Sequence, residues 1–332
     1  MKPELIVIAG PTASGKTACA VELCGRIGGE VISADSMQIY RGMDVLSAKP
    51  TAAEMRGIPH HMLGIADPAE KFSAPRYRDM AKRAIADVHA RGRRAVLCGG
   101  TGLYINAVTR PMDFSERCDE ALRKELLAIA DAPGGRRRLH DMLRQIDPEA
   151  AEKLHENDVR RVSRAIEVYR LTGRTQSAQA RLDAQREGEY DETLFVLRWP
   201  REELYRRIDA RVDEMLASGL VDEVRTLRAD ERSHPTALQA IGYKEIAAAL
   251  DGKLSMDEAV ALVKQLSRNY AKKQMTWFQR DPRAVWIDAQ GKSAAQIADE
   301  ICAHLESKKV YIRRIRQCTM HRCRRSPRRW RH

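Results

Sequence analysis

The octapeptide Gly10-Pro11-Thr12-Ala13-Ser14-Gly15-Lys16-Thr17 matches the pattern G-x-x-x-x-G-K-[ST] at every position. The apolar run Leu5–Ala9 precedes it and the helical segment Thr17–Ile27 follows. A glycine-bearing loop between a strand and a helix lets several backbone N–H groups converge on one concavity. The helix N-terminus adds partial positive charge, Lys16 adds a full one, and the Thr17 hydroxyl can ligate Mg²⁺. The chain is thereby committed to an α/β core with an oligophosphate seat. The pattern does not name the phosphate. Nucleotide kinases, ATP-binding motors, GTPases and enzymes that expel pyrophosphate all share it.

Short β-branched runs predict strands at Leu5–Ala9, Glu30–Ala34, His61–Ile65, Arg94–Cys98, Leu194–Trp199 and Val285–Asp288. Helical segments such as Thr17–Ile27 and Pro75–Arg91 alternate with the early strands, which implies right-handed crossovers and a mostly parallel sheet. The rhythm changes after residue 110. From 111 to 190 only helices are predicted, at Asp119–Ala130, Arg136–Gln145, Pro148–His155 and Val159–Leu171. Asp147-Pro148 reads as an N-cap followed by proline at the first helical position, and Gly173 as a helix stop. Three more helices are predicted after the fifth strand, near Arg201–Leu216, Gln239–Leu250 and Met256–Phe278, and a last one at Ser293–Leu305. The fold class expected is therefore α/β: a P-loop-containing parallel sheet core, residues 1–110 and 191–307, with an all-α insertion domain, residues 111–190. Residues 308–332 form a basic tail expected to be disordered.

In a parallel sheet ligands collect at the C-terminal strand ends. The second strand ends in Ser33-Ala34-Asp35-Ser36-Met37-Gln38-Ile39-Tyr40, which puts the Asp35 carboxylate near the phosphates. It is a candidate for magnesium or for a general base, against the plainer reading of an N-cap or an edge salt bridge. The fourth strand ends in Cys98-Gly99-Gly100-Thr101-Gly102-Leu103-Tyr104. Its glycines allow close backbone approach to a ligand, and Thr101 offers a hydroxyl or simply caps a helix.

A GTPase needs an Asn-Lys-x-Asp element for its base, and none occurs. A motor ATPase ends an apolar strand in acidic residues, whereas Ala95–Cys98 runs into Gly-Gly-Thr-Gly. What remains is a kinase or a pyrophosphate-releasing transferase. The net charge of +12 does not itself indicate nucleic acid. Eleven of the 58 Lys and Arg lie in 308–332, and the other 47 face 46 acidic residues. Local clusters are more informative: Arg160, Arg161 and Arg164 lie off the apolar stripe of their helix, and Arg207 and Arg211 share a face. In Arg268–Phe278, Arg268, Lys272 and Lys273 are predicted to face out and Tyr270, Trp277 and Phe278 to pack inward. Each basic group would suit RNA phosphates, or serve as a solvated face paired with nearby acids. No run of eighteen apolar residues exists, so no membrane partner is expected. The short apolar run near the N-terminus carries Glu4 and reads as a buried strand. Seven scattered cysteines do not make a disulfide framework and fit a reducing cytoplasm. Cys318, His321, Cys323 and His332 fit no zinc-finger spacing, and neighbouring His60 and His61 point apart, so no metal is assigned to either group.

Taken in order, Gly-Pro-Thr-Ala-Ser-Gly-Lys-Thr, Ala-Asp-Ser-Met-Gln-Ile-Tyr-Arg-Gly-Met-Asp, Gly-Gly-Thr-Gly-Leu-Tyr, Ala-Ile-Gly-Tyr-Lys-Glu and Lys-Lys-Gln-Met-Thr-Trp-Phe resemble the tRNA dimethylallyltransferase family over about residues 4 to 288. The resemblance implies transfer of a dimethylallyl group from its pyrophosphate to N6 of the adenine 3′ to the anticodon, with Mg²⁺, in tRNAs that read codons beginning with U. It implies that the loop holds pyrophosphate, with Lys16 and Thr17 as its functional positions, Thr17 toward the metal, and Ser14 and Gly15 as its cradle. Asp35 then matches the base that accepts the N6 proton, Thr101 a residue at the reacting centre, and Arg211 an arginine on the pyrophosphate. Ser36, Met37 and Gln38 fall where the adenine is read. Arg123 and the run Val159, Arg160, Arg161, Val162 and Ser163 fall at tRNA-contacting positions of the insertion. The partners expected are the tRNA anticodon stem-loop and dimethylallyl pyrophosphate, bound by a monomer. Residues 308–332 have no counterpart in the pattern and are given no part in the reaction.

Overall fold

The computed structural model describes residues 2–114, 119–230, 232 and 236–324; for residue 309 and for 311–324 it describes the backbone only. The chain forms two compact units, residues 1–3, 73–78 and 106–191 in one and 4–72, 79–105 and 192–332 in the other.

The chain opens with β1 (Glu4–Ala9), α1 (Lys16–Ile27), β2 (Gly29–Ser33), a single turn α2 (Ala52–Met55), β3 (His60–His61), α3 (Ala74–Ala90), β4 (Arg94–Gly99) and α4 (Gly102–Thr109). Five helices follow: α5 (Glu120–Asp131), α6 (Gly135–Ile146), α7 (Pro148–Lys153), α8 (Val159–Thr172) and α9 (Gln176–Ala184). The chain then continues through β5 (Asp191–Arg198), α10 (Arg201–Ala217), α11 (Leu220–Ala229), α12 (Tyr243–Leu250), α13 (Met256–Gln279), β6 (Ala284–Asp288) and α14 (Ala294–Arg324).

The six strands make one sheet in the order β3-β2-β4-β1-β5-β6. The pairs β2–β3, β2–β4, β1–β4 and β5–β6 are parallel. β1, β2 and β4 are buried almost throughout, as strands covered on both faces are, and β2 carries the buried polar Glu30 and Ser33 among its apolar residues. Ile6, Ile8, Val31, Val96, Phe195 and Leu197 build the sheet side of that core, and Leu23 of α1 and Ile301 of α14 close over it. The helical unit has its own core, in which Leu126, Leu139, Leu143, Val162 and Ile166 meet at helix spacing. One helix start and one helix stop fall where the sequence suggests. Asp147 accepts from the Ala150 N–H ahead of α7, and Gly173 stops α8 at φ 70°.

Several elements differ from the sequence expectation, each for a local reason. The third strand is only His60–His61, because Met62 and Gly64 take φ of 67° and 58° and end the extended run. The helix expected from Gln239 starts at Tyr243, because Gly242 stands at φ 104°; a 3₁₀ turn covers Ala237–Gln239. α9 and α11 were not anticipated. The Thr175 side chain caps α9, and α11 carries the buried stripe Leu220, Val224 and Leu227 behind Gly219 at φ 97°. α14 does not stop at Leu305. It continues as helix to Arg324, since Lys and Arg are good helix formers and no proline intervenes before Pro327. Lys308, at the start of the expected tail, is anchored: its ammonium donates to Thr193 Oγ1 (3.0 Å) and lies 3.4 Å from the Glu192 carbonyl. Residues 325–332, and the side chains of Cys318, His321 and Cys323, lie outside the described residues, as does Cys118. Among the described residues no helix is long and apolar enough to cross a membrane.

Candidate active site

The sheet order sets β1, β4 and β2 side by side, so their C-terminal ends deliver three segments to one edge. They are the loop 10–17, the Gly99–Gly102 turn and Asp35 with its followers. A cavity of about 830 Å³ opens there. Its wall includes Thr12, Ala13, Gly15, Lys16, Thr17, Asp35, Ser36, Met37, Gln38 and, from α10, Arg207 and Arg211.

The phosphate loop is held in shape by groups distant in sequence. Gly15 is the N-cap of α1 at φ 84°, a left-handed position that suits glycine. Ala13 is also left-handed, at φ 60°, which is strained for alanine. It is kept there by Arg207, whose Nε donates to the Ala13 carbonyl (2.9 Å). Arg207 in turn lies over the Trp199 ring at 4.3 Å, and Trp199 Nε1 donates to the Ser14 carbonyl (3.0 Å). Ser14 Oγ is buried with no hydrogen-bond partner among the described residues. Lys16 donates to the Pro11 carbonyl (3.2 Å). Surrounding protein pushes the Lys16 ammonium below its ordinary pKa, and the nearby Arg211 guanidinium pushes it further. Arg211 is likewise lowered by burial, partly offset by Asp35. The acids near Arg207 and Arg211 on α10 are Glu203 and Asp209, and the two arginines could simply pair with them. They do not, for Glu203 holds Arg206 and Asp209 holds Arg268 (2.6 Å). Two cations thus face one cavity, and among the described residues neither is held in an ion pair by Glu203 or Asp209.

Asp35 and Thr101 are brought together by the β2–β4 pairing. The Ala34 N–H donates to the Cys98 carbonyl (2.7 Å), and the Thr101 N–H donates back to the Ala34 carbonyl (3.1 Å). Thr101 Oγ1 accepts from the Ser36 N–H (3.0 Å), so its side chain serves the neighbouring strand end. Asp35 Oδ1 accepts from the Met37 N–H (2.9 Å), which orients the carboxylate, while Oδ2 has no partner among the described residues. Gln38 is fully engaged. Its Oε1 accepts from Ser33 (2.9 Å) and its Nε2 donates to the Ala48 carbonyl (3.2 Å). Burial raises the Cys98 thiol to about 12, so it stays protonated and inert beside the loop.

Two site residues were not singled out from sequence. Gln274 of α13 is buried; its Oε1 accepts from the Thr12 N–H (2.9 Å) and its Nε2 donates to the Gly100 carbonyl (3.0 Å), tying the phosphate loop to the Gly-Gly turn. Tyr270, one turn earlier, lines the same cavity, and burial lifts its phenol to about 12. The only sequence sign was that Tyr270, Gln274 and Trp277 share one face of α13. Trp277 does not pack inward as expected. It is 43% exposed and lies against Gly102, where any Cβ would stand 2.2 Å from the indole nitrogen. Phe278 is buried, and Arg268 is half-buried on Asp209 rather than free.

Gly99 is the tightest point. A Cβ there would stand 2.2 Å from the Ala34 carbonyl oxygen, a backbone atom with nowhere to go. Gly99→Ala is expected to lower stability by about 1–3 kcal/mol, as overpacking does, and to part Thr101 from Asp35. An unchanged midpoint in a denaturation curve would show that the strand ends separate freely.

In the helical unit the expected tRNA-contacting residues divide. Arg160 and Arg161 are exposed; Arg161 pairs with Asp158 (2.6 Å), and Val159 is half-buried. Val162 and Ser163 are buried in the helical core, since they fall on the apolar stripe of α8, and neither side chain is presented to a partner. Arg123 is committed to Glu167 (3.0 Å), which Arg164 also holds (2.9 Å). Burial raises the Glu167 pKa, but these hydrogen bonds outweigh it and keep the carboxylate charged. Arg123 thus pairs with a buried carboxylate while 44% of its own side chain stays exposed.

For a metal, the Thr17 hydroxyl and the Asp35 carboxylate line the same wall. No group of three or more His, Cys, Asp or Glu able to hold a metal occurs among the described residues. That set suits Mg²⁺, which keeps waters and takes one or two protein oxygens beside substrate phosphates.

A family model described as IPP transferase matches residues 38–281, a span that begins after the phosphate loop. Among curated relatives, the tRNA dimethylallyltransferase of Geobacter metallireducens is 48% identical over 294 residues, 88% of this chain and 94% of that one. The tRNA dimethylallyltransferase of Halalkalibacterium halodurans is 44% identical over 313 residues, 93% and 99% of the two chains. The crystal structure of the full-length tRNA isopentenylpyrophosphate transferase from Bacillus halodurans aligns at a TM-score of 0.69 and 42% identity, covering 94% of this chain and all of that one. A eukaryotic dimethylallyltransferase acting on tRNA aligns at 0.77 and 29% identity, covering 92% and 80%.

Proposed function

The chain belongs to the IPP transferase family, and on that footing we infer that it transfers a dimethylallyl group from a prenyl diphosphate to tRNA. The finer reading is that the acceptor is N6 of the adenine 3′ to the anticodon, in tRNAs that read codons beginning with U, with release of pyrophosphate. The observation that carries the reading is the placing of Lys16 and Arg211 on one cavity wall beside the phosphate loop, with Asp35 on the same wall. A kinase built on the same loop is not favoured by the relatives.

The chemistry follows from these groups. An exocyclic amine is a weak nucleophile, so the allylic carbon must be made strongly electrophilic. As the C–O bond to the diphosphate lengthens, negative charge grows on the diphosphate oxygens. Lys16, Arg211 and the loop N–H groups stabilise that charge more than they stabilise the intact ester. The adenine N6 lone pair forms the new C–N bond, the C–O pair leaves with pyrophosphate, and Asp35 takes the N6 proton. Thr101 holds the Ser36 N–H and so fixes the start of the segment Ser36-Met37-Gln38 beside the base. Mg²⁺, held through Thr17, would supply further neutralisation of the diphosphate. The adenine must leave its stack to reach Asp35. Arg160 and Arg161 offer exposed charge to an RNA backbone. Free cysteines at Cys19, Cys24, Cys98 and Cys302 accord with a reducing cytoplasm.

The acceptor is tested with anticodon stem-loop RNAs that differ only in the purine 3′ to the anticodon. Transfer to the adenine form and none to the inosine form supports N6 as the acceptor. Equal labelling of both would refute it.

A further inference from the structure

Asp44, Val45 and Leu46 line the cavity, and their three successive N–H groups converge on one side chain. The N–H groups of Asp44 and Val45 donate to Glu223 Oε2, both at 2.8 Å, and that of Leu46 donates to Glu223 Oε1 at 2.7 Å. Three consecutive amides turned the same way form an anion-binding nest. Here the anion is supplied by the first turns of α11, a helix seated in the fold by buried Leu220, Val224 and Leu227. Leu46 is held from a second side, since its Cδ1 is 3.0 Å from where a Cβ of Gly242 would stand.

Two residues downstream the same loop reaches the reaction machinery. Ala48 adopts φ 44°, a left-handed conformation that an alanine keeps only when its surroundings impose it. Its carbonyl accepts from Arg211 Nη2 (3.1 Å) and from Gln38 Nε2 (3.2 Å). Lys49 closes the turn by donating to the Tyr40 carbonyl (2.9 Å) and pairing with Asp44. The chain of contacts therefore runs from Glu223, through the Asp44–Leu46 amides and the strained Ala48 carbonyl, to Arg211.

We propose that Glu223 is a positioning residue: by clamping the Asp44–Leu46 amides it fixes the Ala48 carbonyl, which aims Arg211 at the diphosphate of the donor. This rests on the reading of the cavity given above. Glu223 touches no reacting atom, so its removal acts on diphosphate binding through the loop.

The test uses the full chain with Glu223→Ala and Glu223→Gln. A carboxamide has one acceptor oxygen and turns an N–H toward a donor, so at least one of the three bonds fails. Losing hydrogen bonds to a charged group corresponds to about a tenfold change in binding. Glu223→Ala is expected to raise the dimethylallyl diphosphate KM, and the Kd for inorganic diphosphate, by about tenfold or more, with a smaller fall in kcat. Glu223→Gln should fall between. Hydrogen exchange at Asp44, Val45 and Leu46 should accelerate in Glu223→Ala while the sheet amides keep their protection. Adding Arg211→Ala to Glu223→Ala should bring little further loss of diphosphate affinity beyond Arg211→Ala alone.

Diphosphate affinity equal to that of the unsubstituted chain would overturn the proposal, as would unaltered exchange at the three amides. So would faster exchange everywhere with KM unchanged, which marks a merely structural role. If the unsubstituted chain fails to prenylate tRNA, the functional reading falls, while inorganic diphosphate affinity and amide exchange still decide the role of Glu223.

Discussion

Asp35→Ala is expected to bind donor and tRNA as the unsubstituted chain does and to lose transfer by about 10²–10⁴-fold, the usual contribution of a positioned base. The carboxylate is oriented by the Met37 N–H on Oδ1, which leaves Oδ2 free to take a proton. Its two strand-end neighbours, Ser36 and Thr101, are locked together and do not depend on Asp35 for their contact. Removing the carboxylate should therefore spare the architecture. Because its role begins only as the N6 proton becomes acidic, the loss belongs in kcat, with both KM values nearly unchanged. Stopped-time transfer assays with each substrate varied in turn check this. Turnover kept within a few-fold of the unsubstituted chain would remove the general-base assignment.

Lys16→Ala is expected to cost about 10²–10³-fold in kcat, the range seen when one preorganised charge-stabilising donor is lost, together with weaker donor binding. Lys16 meets the loop through the Pro11 carbonyl and faces Arg211 across the cavity. Its ammonium is held below the ordinary lysine pKa by desolvation first and by Arg211 second. A bound diphosphate reverses the second cause and favours the charged form. The sign follows. Below the lowered pKa Lys16 is charged and the donor binds fully; as pH rises through it, binding must take up a proton and affinity falls. Calorimetry with inorganic diphosphate in the unsubstituted chain should show weakening on the alkaline side and net proton uptake there. Lys16→Ala should lack both. A pH-independent affinity in the unsubstituted chain would contradict this account of the site.

The phosphate loop was legible because its chemistry is contiguous, with eight residues in a row between a strand and a helix. The meeting of Asp35 with Thr101 was legible for a related reason, since each follows an apolar run whose end must reach the same sheet edge. Gln274 and Glu223 left no such trace. Each is one polar residue on an amphipathic helix, and its partners lie far away in sequence, at Thr12 and Gly100 for one and Asp44–Leu46 for the other. Helical periodicity shows that such a residue lies off the apolar stripe, but not which distant amide it meets. The basic residues of the insertion mislead in the opposite direction. Arg123 reads as a tRNA contact and Arg164 as an RNA clamp or a solvated face, and a single buried Glu167 pairs with both. Val162 and Ser163 share a run with Arg160 and Arg161, but helix geometry turns them inward. The extension of α14 past Leu305 was hidden by composition, because a run of Lys and Arg without apolar spacing resembles a disordered tail although each residue favours helix.

The central claim is that the cavity beside Lys16 and Arg211 seats a diphosphate while its prenyl carbons pass to tRNA. It is tested most directly by giving the purified chain dimethylallyl diphosphate labelled in those carbons together with unmodified tRNA. The account predicts label in the tRNA, matched mole for mole by freed pyrophosphate, and both products formed about 10²–10³-fold more slowly with Lys16→Ala. Label remaining in the donor while ATP is consumed would contradict it.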